Sequence, residues 1–178
     1  MAYPVDGSWP PPDVSANYNT GEVVGSATNP LPGPASYGEM KIRQGYWSSS
    51  WNDGWGQDKA EYKHHLKFVD SIEFVLRSKH FKNRSDANLA GLDFRSKAIG
   101  QVCQVGWTGK SCEEVQHRWV HVIYDPNPWP NYKLAPGQFN PIGVVTAYCG
   151  GGNTPLAGTQ ICDSWIDIAL LNPQPEGG

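Results

Sequence analysis

Cys103-Gln-Val-Gly-Trp-Thr-Gly-Lys-Ser-Cys112 and Tyr148-Cys149-Gly-Gly-Gly-Asn-Thr-Pro-Leu-Ala-Gly-Thr-Gln-Ile-Cys162 hold all the cysteines of the chain. In each stretch two cysteines flank a short loop of Gly, Thr, Ser or Asn and stand beside β-prone residues. A disulfide between neighbouring strands can close such a loop locally. Three connectivities are open to the four cysteines, and the two local loops favour Cys103–Cys112 with Cys149–Cys162.

The flanking segments carry period-two patterns. Ile99 to Val105 reads as a short strand entering the first loop, and before it Leu92 and Phe94 alternate with Asp93 and Arg95. Residues 115–124 form a strand stopped by Asp125-Pro-Asn-Pro-Trp-Pro-Asn131, because proline cannot donate to a sheet ladder. Residues 142–148 and 161–171 add two more, the last with Ile166, Ile168 and Leu170 inward and Trp165 and Asp167 outward. Residues 68–76 also read as a strand, with Phe68, Ile72, Phe74 and Leu76 on one face and Val69, Ser71, Glu73 and Val75 on the other. Residues 78–88 are a polar turn region, and 58–67 make one helical turn or a hairpin arm. Strands at intervals of about ten residues, with turn signals between them, predict an all-β fold, a single antiparallel β-barrel or sandwich with two local disulfides.

Residues 1–38, with Pro-Pro-Pro and Asn-Pro-Leu-Pro-Gly-Pro, read as an irregular proline-rich N-terminal arm. Trp9, Tyr18 and Tyr37 favour partial order in it, and Val23-Val24 suits a sheet edge. Residues 39–178 are then the β-barrel domain.

Composition narrows the function classes. Charged residues make up 17% of the 178, against roughly 25% in an average domain. A formal charge of −3 supplies no positive field for a nucleic-acid backbone, so nucleic acid is not an expected partner. No apolar run is long enough to span a membrane. An even cysteine count with short spacings favours a secreted, extracellular protein. The N-terminus Met1-Ala-Tyr-Pro-Val-Asp has no basic end followed by an apolar core, so that expectation takes a signal peptide to have been removed already. Asn83-Arg84-Ser85 is a glycosylation acceptor sequence.

Thr146-Ala-Tyr148-Cys149-Gly-Gly-Gly, then Cys162, then Ile166, Ile168 and Leu170, resembles the C-terminal part of the family of the Alternaria major allergen. The upstream order is similar too: Ile72-Glu-Phe74, a polar turn, Leu92-Asp-Phe94, and Cys103 ending the next strand with a partner cysteine shortly after. The resemblance covers residues 68–172. It implies a secreted fungal β-barrel of the kind met as an allergen, or as an apoplastic effector or elicitor that triggers or suppresses plant defence.

Candidate binding residues are the tryptophans. Trp47, Trp51 and Trp55 recur every four residues and would form a stacking platform for sugar rings if exposed, or plug one end of the core if buried. Trp129 marks a second contact surface in the proline-rich 125–131 loop. Catalysis, if present, would use His117 or His121 as general base and His64 as acid, with Lys110 or Arg118 on a phosphate oxyanion. No metal site is expected, because His117 and His121 on one strand are about 13 Å apart. His64 and His65 point to opposite faces if extended. Gly150-Gly-Gly152 leads into no Lys-Ser/Thr or helix and is a flexible turn rather than a phosphate loop. No cofactor is expected. The first functional expectation is a non-catalytic binding protein directed at a host protein or an extracellular glycan or small molecule. A carbohydrate-binding module and a small secreted ribonuclease or toxin are the alternatives.

Overall fold

The structure, a computed structural model, describes residues 12–15, 18–84, 91–126 and 141–172. In chain order it contains β1 (Val23–Ala27), α1 (Pro32–Ala35), β2 (Met40–Arg43), β3 (Tyr46–Ser48), β4 (Asp53–Trp55), α2 (Gly56–Asp58), a π-helical turn (Lys59–Lys63), α3 (Val69–Leu76), β5 (Phe81–Arg84), β6 (Gly91–Gly106), β7 (Gly109–Asp125), β8 (Gly143–Gly152) and α4 (Ile166–Leu171). Strands account for 45% of the described residues and helices for 19%. All strand pairs are antiparallel, in a four-stranded sheet ordered β5-β6-β7-β8 and two hairpin-like pairs, β1-β2 and β3-β4. The expected mostly-β, antiparallel class with two local disulfides is what the chain adopts.

Both faces of the four-stranded sheet are covered, because the side chains of its strands alternate between two apolar sets. Leu92, Phe94 and Ala98 of β6, Val120, Val122 and Tyr124 of β7 and Val144 and Ala147 of β8 face one way. They pack on Met40 and Ile42 of β2, Ile72, Val75 and Leu76 of α3 and Ile166 and Leu170 of α4. Ile123 and Val145 face the other way and meet Tyr46 and Trp55 of the small β3-β4 pair, with Ile142 beside them. This second layer is short. Among the described residues it leaves the β5–β7 part of that face uncovered.

Two segments read as strands are helices. Residues 69–76 form α3, because Ile72, Val75 and Leu76, all buried, lie three or four positions apart and fill one helical face. Phe68, placed inward by the strand reading, is 49% exposed. Residues 166–171 form α4, in which Ile166 and Leu170 at i and i+4 are buried while Ile168, expected inward, is exposed and Asp167, expected outward, is buried. The burial of Asp167 has a cause. Its carboxylate accepts from the backbone N–H of Lys67 at 2.9 Å and from Ser71 Oγ at 2.6 Å, so one helix caps the start of the other with a charge of the favourable sign. Both segments carried part of the family resemblance.

Parts of the N-terminal 38 residues join the body. Val23-Val24 open β1, which pairs with β2 as a sheet edge. Tyr18 donates its hydroxyl to the buried Asp58 at 2.8 Å, and Asp13 accepts from Ser48 Oγ at 2.6 Å and from Ser49 N at 2.9 Å. Asn83 is exposed on β5.

The disulfides are Cys103–Cys112 and Cys149–Cys162, and they sit in different settings. Cys149 and Cys162 are buried in the main core. Cys103 and Cys112 face each other across β6 and β7 in a stretch where every residue from 102 to 115 is exposed. Removing Cys149–Cys162 as a Ser pair is expected to lower stability by about 3 kcal/mol, the loop-closure value for a loop near 15 residues, with burial of two hydroxyls added. Removing Cys103–Cys112 should change global stability by under about 1 kcal/mol, because that end of the hairpin can fray without opening the core. Urea unfolding of the two double variants checks the contrast.

Candidate functional site

The alternation of β6 puts Asp93, Arg95 and Lys97 on the β5–β7 part of the second face. In register, Lys82 lies opposite Asp93, His121 opposite Arg95, Trp119 opposite Lys97, and Tyr148 opposite His121. Side chains directly opposite in an antiparallel ladder share a face, so these residues form one patch across all four strands.

At its centre His121 Nδ1 donates to Asp93 Oδ1 at 2.9 Å. Lys82 Nζ is 3.5 Å from the other carboxylate oxygen. Burial pushes the Asp93 carboxyl up, but the hydrogen bond and charge of His121, with Lys82 behind them, outweigh it and hold the group below the ordinary carboxylate range. An ionised carboxylate only accepts, so it fixes the His121 tautomer with Nδ1 protonated and leaves Nε2 with a free lone pair. A Cβ built on Gly150 would stand 2.7 Å from that Nε2. Gly150, the first glycine of the Gly150-Gly-Gly152 run, therefore serves a close approach: without a side chain at 150, the ring keeps its place.

Tyr148 stacks on His121 with ring centroids 5.1 Å apart and planes 4° from parallel. Its ring also meets His64, at 5.8 Å. His64 arrives through the π-helical turn Lys59–Lys63, the segment in which a helical turn was one of the two expected forms, and it is 3% exposed. Burial, with Lys63 and Lys59 adding to it, pushes its imidazole from 6.5 down to about 4. His64 is thus neutral at physiological pH and has no proton to donate as an acid; it supports Tyr148 instead. The unfolded chain would protonate this imidazole near pH 6.5 and the folded chain resists it to about 4. The stabilisation is therefore complete above pH 6.5 and is lost as pH falls towards 4, by up to about 3 kcal/mol. In His64→Phe that part of the acid sensitivity should be missing from a plot of unfolding free energy against pH.

The structure separates the three candidate histidines. His121 and His64 both touch Tyr148, whereas His117 lies four residues up β7 with Nδ1 2.8 Å from Glu114 Oε1. Among the described residues no cluster of His, Cys, Asp and Glu could hold a metal ion. Arg118, named for an oxyanion role, is 0% exposed on the opposite face, donating to Thr154 Oγ1, Thr159 O and Ile161 O. It holds the 153–163 loop and is out of reach of any substrate. Lys110 is exposed near the hairpin end.

The tryptophan platform does not form. Trp55 is 0% exposed in the second core cluster, because the tight β3-β4 turn folds it under Tyr46. Trp47 and Trp51 are half-buried, and Lys63 Nζ lies 4.6 Å from the Trp47 ring centroid. Of the three, Trp55 takes the core-plugging role. Trp129 and most of the 125–131 loop lie outside the described residues.

Four residues of the patch and the hairpin apex escaped sequence reasoning. Asp93 and Arg95 were visible as the polar half of an alternating strand, but nothing local indicated that His121 lay beside them. Trp119 is half-buried with the Arg95 guanidinium 5.4 Å from its ring centroid. Trp107, at the β6–β7 turn, is fully exposed. An aromatic between two glycines inside a cysteine clamp was the available signal for it.

The chain matches no family model, no curated protein and no solved structure.

Proposed function

We propose that the protein is a small histidine-based acid–base enzyme acting on a phosphodiester, with single-stranded RNA as the substrate class. The observation that supports this best is the buried carboxylate Asp93 holding His121 with Nε2 unprotonated, at a partly exposed place beside Gly150, which has no side chain to cover it. In this reading His121 takes the proton from an attacking 2′-hydroxyl, the usual work of a positioned imidazole. Arg95, seated against Trp119, offsets charge developing on the non-bridging phosphate oxygens, and water protonates the leaving oxygen. Trp119 and Tyr148 offer flat faces to unstacked bases. Lys82 and Lys97 are each paired with a carboxylate. Arg95 is thus the main source of uncompensated charge, and with a chain charge of −3 this makes for weak, salt-sensitive binding. Incubation with a short single-stranded RNA, read by chromatography, tests the proposal; intact RNA after incubation with the wild-type protein sinks it.

A second reading, the secreted binding protein related to fungal apoplastic β-barrels, has one specific feature in its favour. The clamped β6–β7 hairpin presents exposed apolar side chains away from the body. Two disulfides fit an oxidising compartment, and among the described residues no helix is long and apolar enough to cross a membrane.

A further inference from the structure

The β6–β7 hairpin outgrows its own sheet. Among the described residues β5 pairs with β6 only at Gly91–Phe94 and β8 pairs with β7 only from Arg118 onward, so beyond them the ribbon is two-stranded with no described strand on either edge. A bulge at Gly100/Gln101 leaves Val115 as the extra residue and bends the ribbon where it departs. The Cys103–Cys112 disulfide then fixes its register, and Gly109, at φ +124, lets the chain double back in a turn a side chain would strain. At the apex Trp107 is 108% exposed, with Val105 at 85% and Val102 at 55%. A two-stranded ribbon is marginal in water by itself. Here a covalent clamp keeps one rigid while it holds large apolar groups in solvent.

We infer that this apex is a shallow anchor for a zwitterionic phospholipid surface, resting on the reading of the hairpin as a contact element. Three features select that occupant. Val102 and Val105 point to opposite faces of the ribbon and Trp107 to its end, so the apex is apolar all round; a flat protein partner would cover one side only. These strand edges, with no described strand beside them, need hydrogen-bond partners, which a dry protein cavity or the hydrocarbon core withholds and the hydrated headgroup zone supplies. Charge is placed to match. Between Gln104 and Cys112 the one charged residue is Lys110, whose long stem reaches back towards water. The nearest carboxylate, Glu113, lies opposite Val102, five residues behind Trp107 and so about 16 Å from the end of the ribbon. That clears an interfacial layer of about 5–10 Å. The whole chain is acidic, so an anionic surface gains nothing. The ribbon rests in the interface and does not span it.

The test is flotation with phosphatidylcholine vesicles, together with quenching of tryptophan fluorescence by brominated phosphatidylcholine. The wild-type protein should float and be quenched. Trp107→Ala should bind at least tenfold more weakly and lose most of the quenching, while Trp107→Phe keeps most of the binding. Neither 0.5 M salt nor added phosphatidylserine should strengthen it. Trp107 has no neighbours to lose, so thermal unfolding of both variants should match the wild type, and that measurement guards against misfolding. Wild-type protein that stays with the unfloated fraction, or that floats equally well as Trp107→Ala, overturns the lipid assignment. If Trp107→Ala then also leaves binding to cells unchanged, the reading of the hairpin as a contact element falls with it; if cell binding is lost, a protein cavity replaces the lipid surface.

Discussion

His121→Ala should cleave a short single-stranded RNA about 100- to 10,000-fold more slowly than the wild type, the range a positioned general base contributes. The loss should fall on kcat and leave KM close to unchanged, because Nε2 exchanges its proton in the transition state and anchors nothing in the ground state. Asp93→Asn separates positioning from chemistry. An amide in place of the carboxylate can satisfy His121 Nδ1 only in one of its two flips, and it no longer favours the imidazolium that forms as the proton is taken. A kcat loss of about tenfold or more, again with KM unchanged, is expected. His117→Ala is the control. Its imidazole pairs with Glu114 at 2.8 Å, away from the Asp93–His121 pair, so activity should stay within about twofold of wild type. Equal rates for His121→Ala and the wild type would remove the enzyme reading and leave the binding protein in its place.

How far these features could be seen in the chain depends on whether local chemistry or distant contact decides them. Both disulfides were legible, because their cysteines bracket short turns whose glycines permit closure. So were β6, β7 and β8, whose alternation continues far enough to leave no helical interpretation. Residues 68–76 misled because Phe68, Ile72, Phe74 and Leu76 fit a period of two over so short a window while Val69, Ile72 and Val75 are β-branched. The choice was made elsewhere. Asp167, a hundred positions on, caps Lys67 N and Phe68 N, and in exchange α4 packs against α3. Local propensity carries no trace of such a bond. The site shows the same division. His121 was visible as a candidate and Asp93 as the polar side of a strand, but their 2.9 Å contact is created by a strand register spanning 28 positions. His64 was assigned as an acid on its residue type alone, and burial against Tyr148 reverses that role.

The largest stability effect expected from a single substitution is at Arg118. Its side chain is 0% exposed. Nη1 donates to Thr154 Oγ1 at 3.3 Å, Nη2 donates to the Thr159 and Ile161 carbonyls at 3.2 and 3.0 Å, and the Asp163 carboxylate stands 3.8 Å away. Burial pulls the guanidinium below its ordinary range while Asp163 opposes the shift. Arg118→Met fills a similar volume but strands two carbonyls and a carboxylate, and breaking a buried charged network by removing one partner costs about 3–5 kcal/mol. At about 2–4 °C per kcal/mol for a chain of this size, thermal unfolding should fall by about 10 °C or more. Lys97→Met, which breaks the half-exposed pair with Glu114 at 2.9 Å, should cost under about 1 kcal/mol. The more searching measurement is a cycle with the Cys149–Cys162 pair. Arg118 and that disulfide both hold the 153–163 loop, the arginine at Thr154, Thr159 and Ile161 and the disulfide at the neighbouring Cys162, so with the disulfide gone the loop can peel away and rehydrate its carbonyls, and Arg118→Met should then cost at least 1 kcal/mol less than in the intact protein. Additive losses would mean that the arginine acts on the sheet beneath it and leaves the loop to the disulfide.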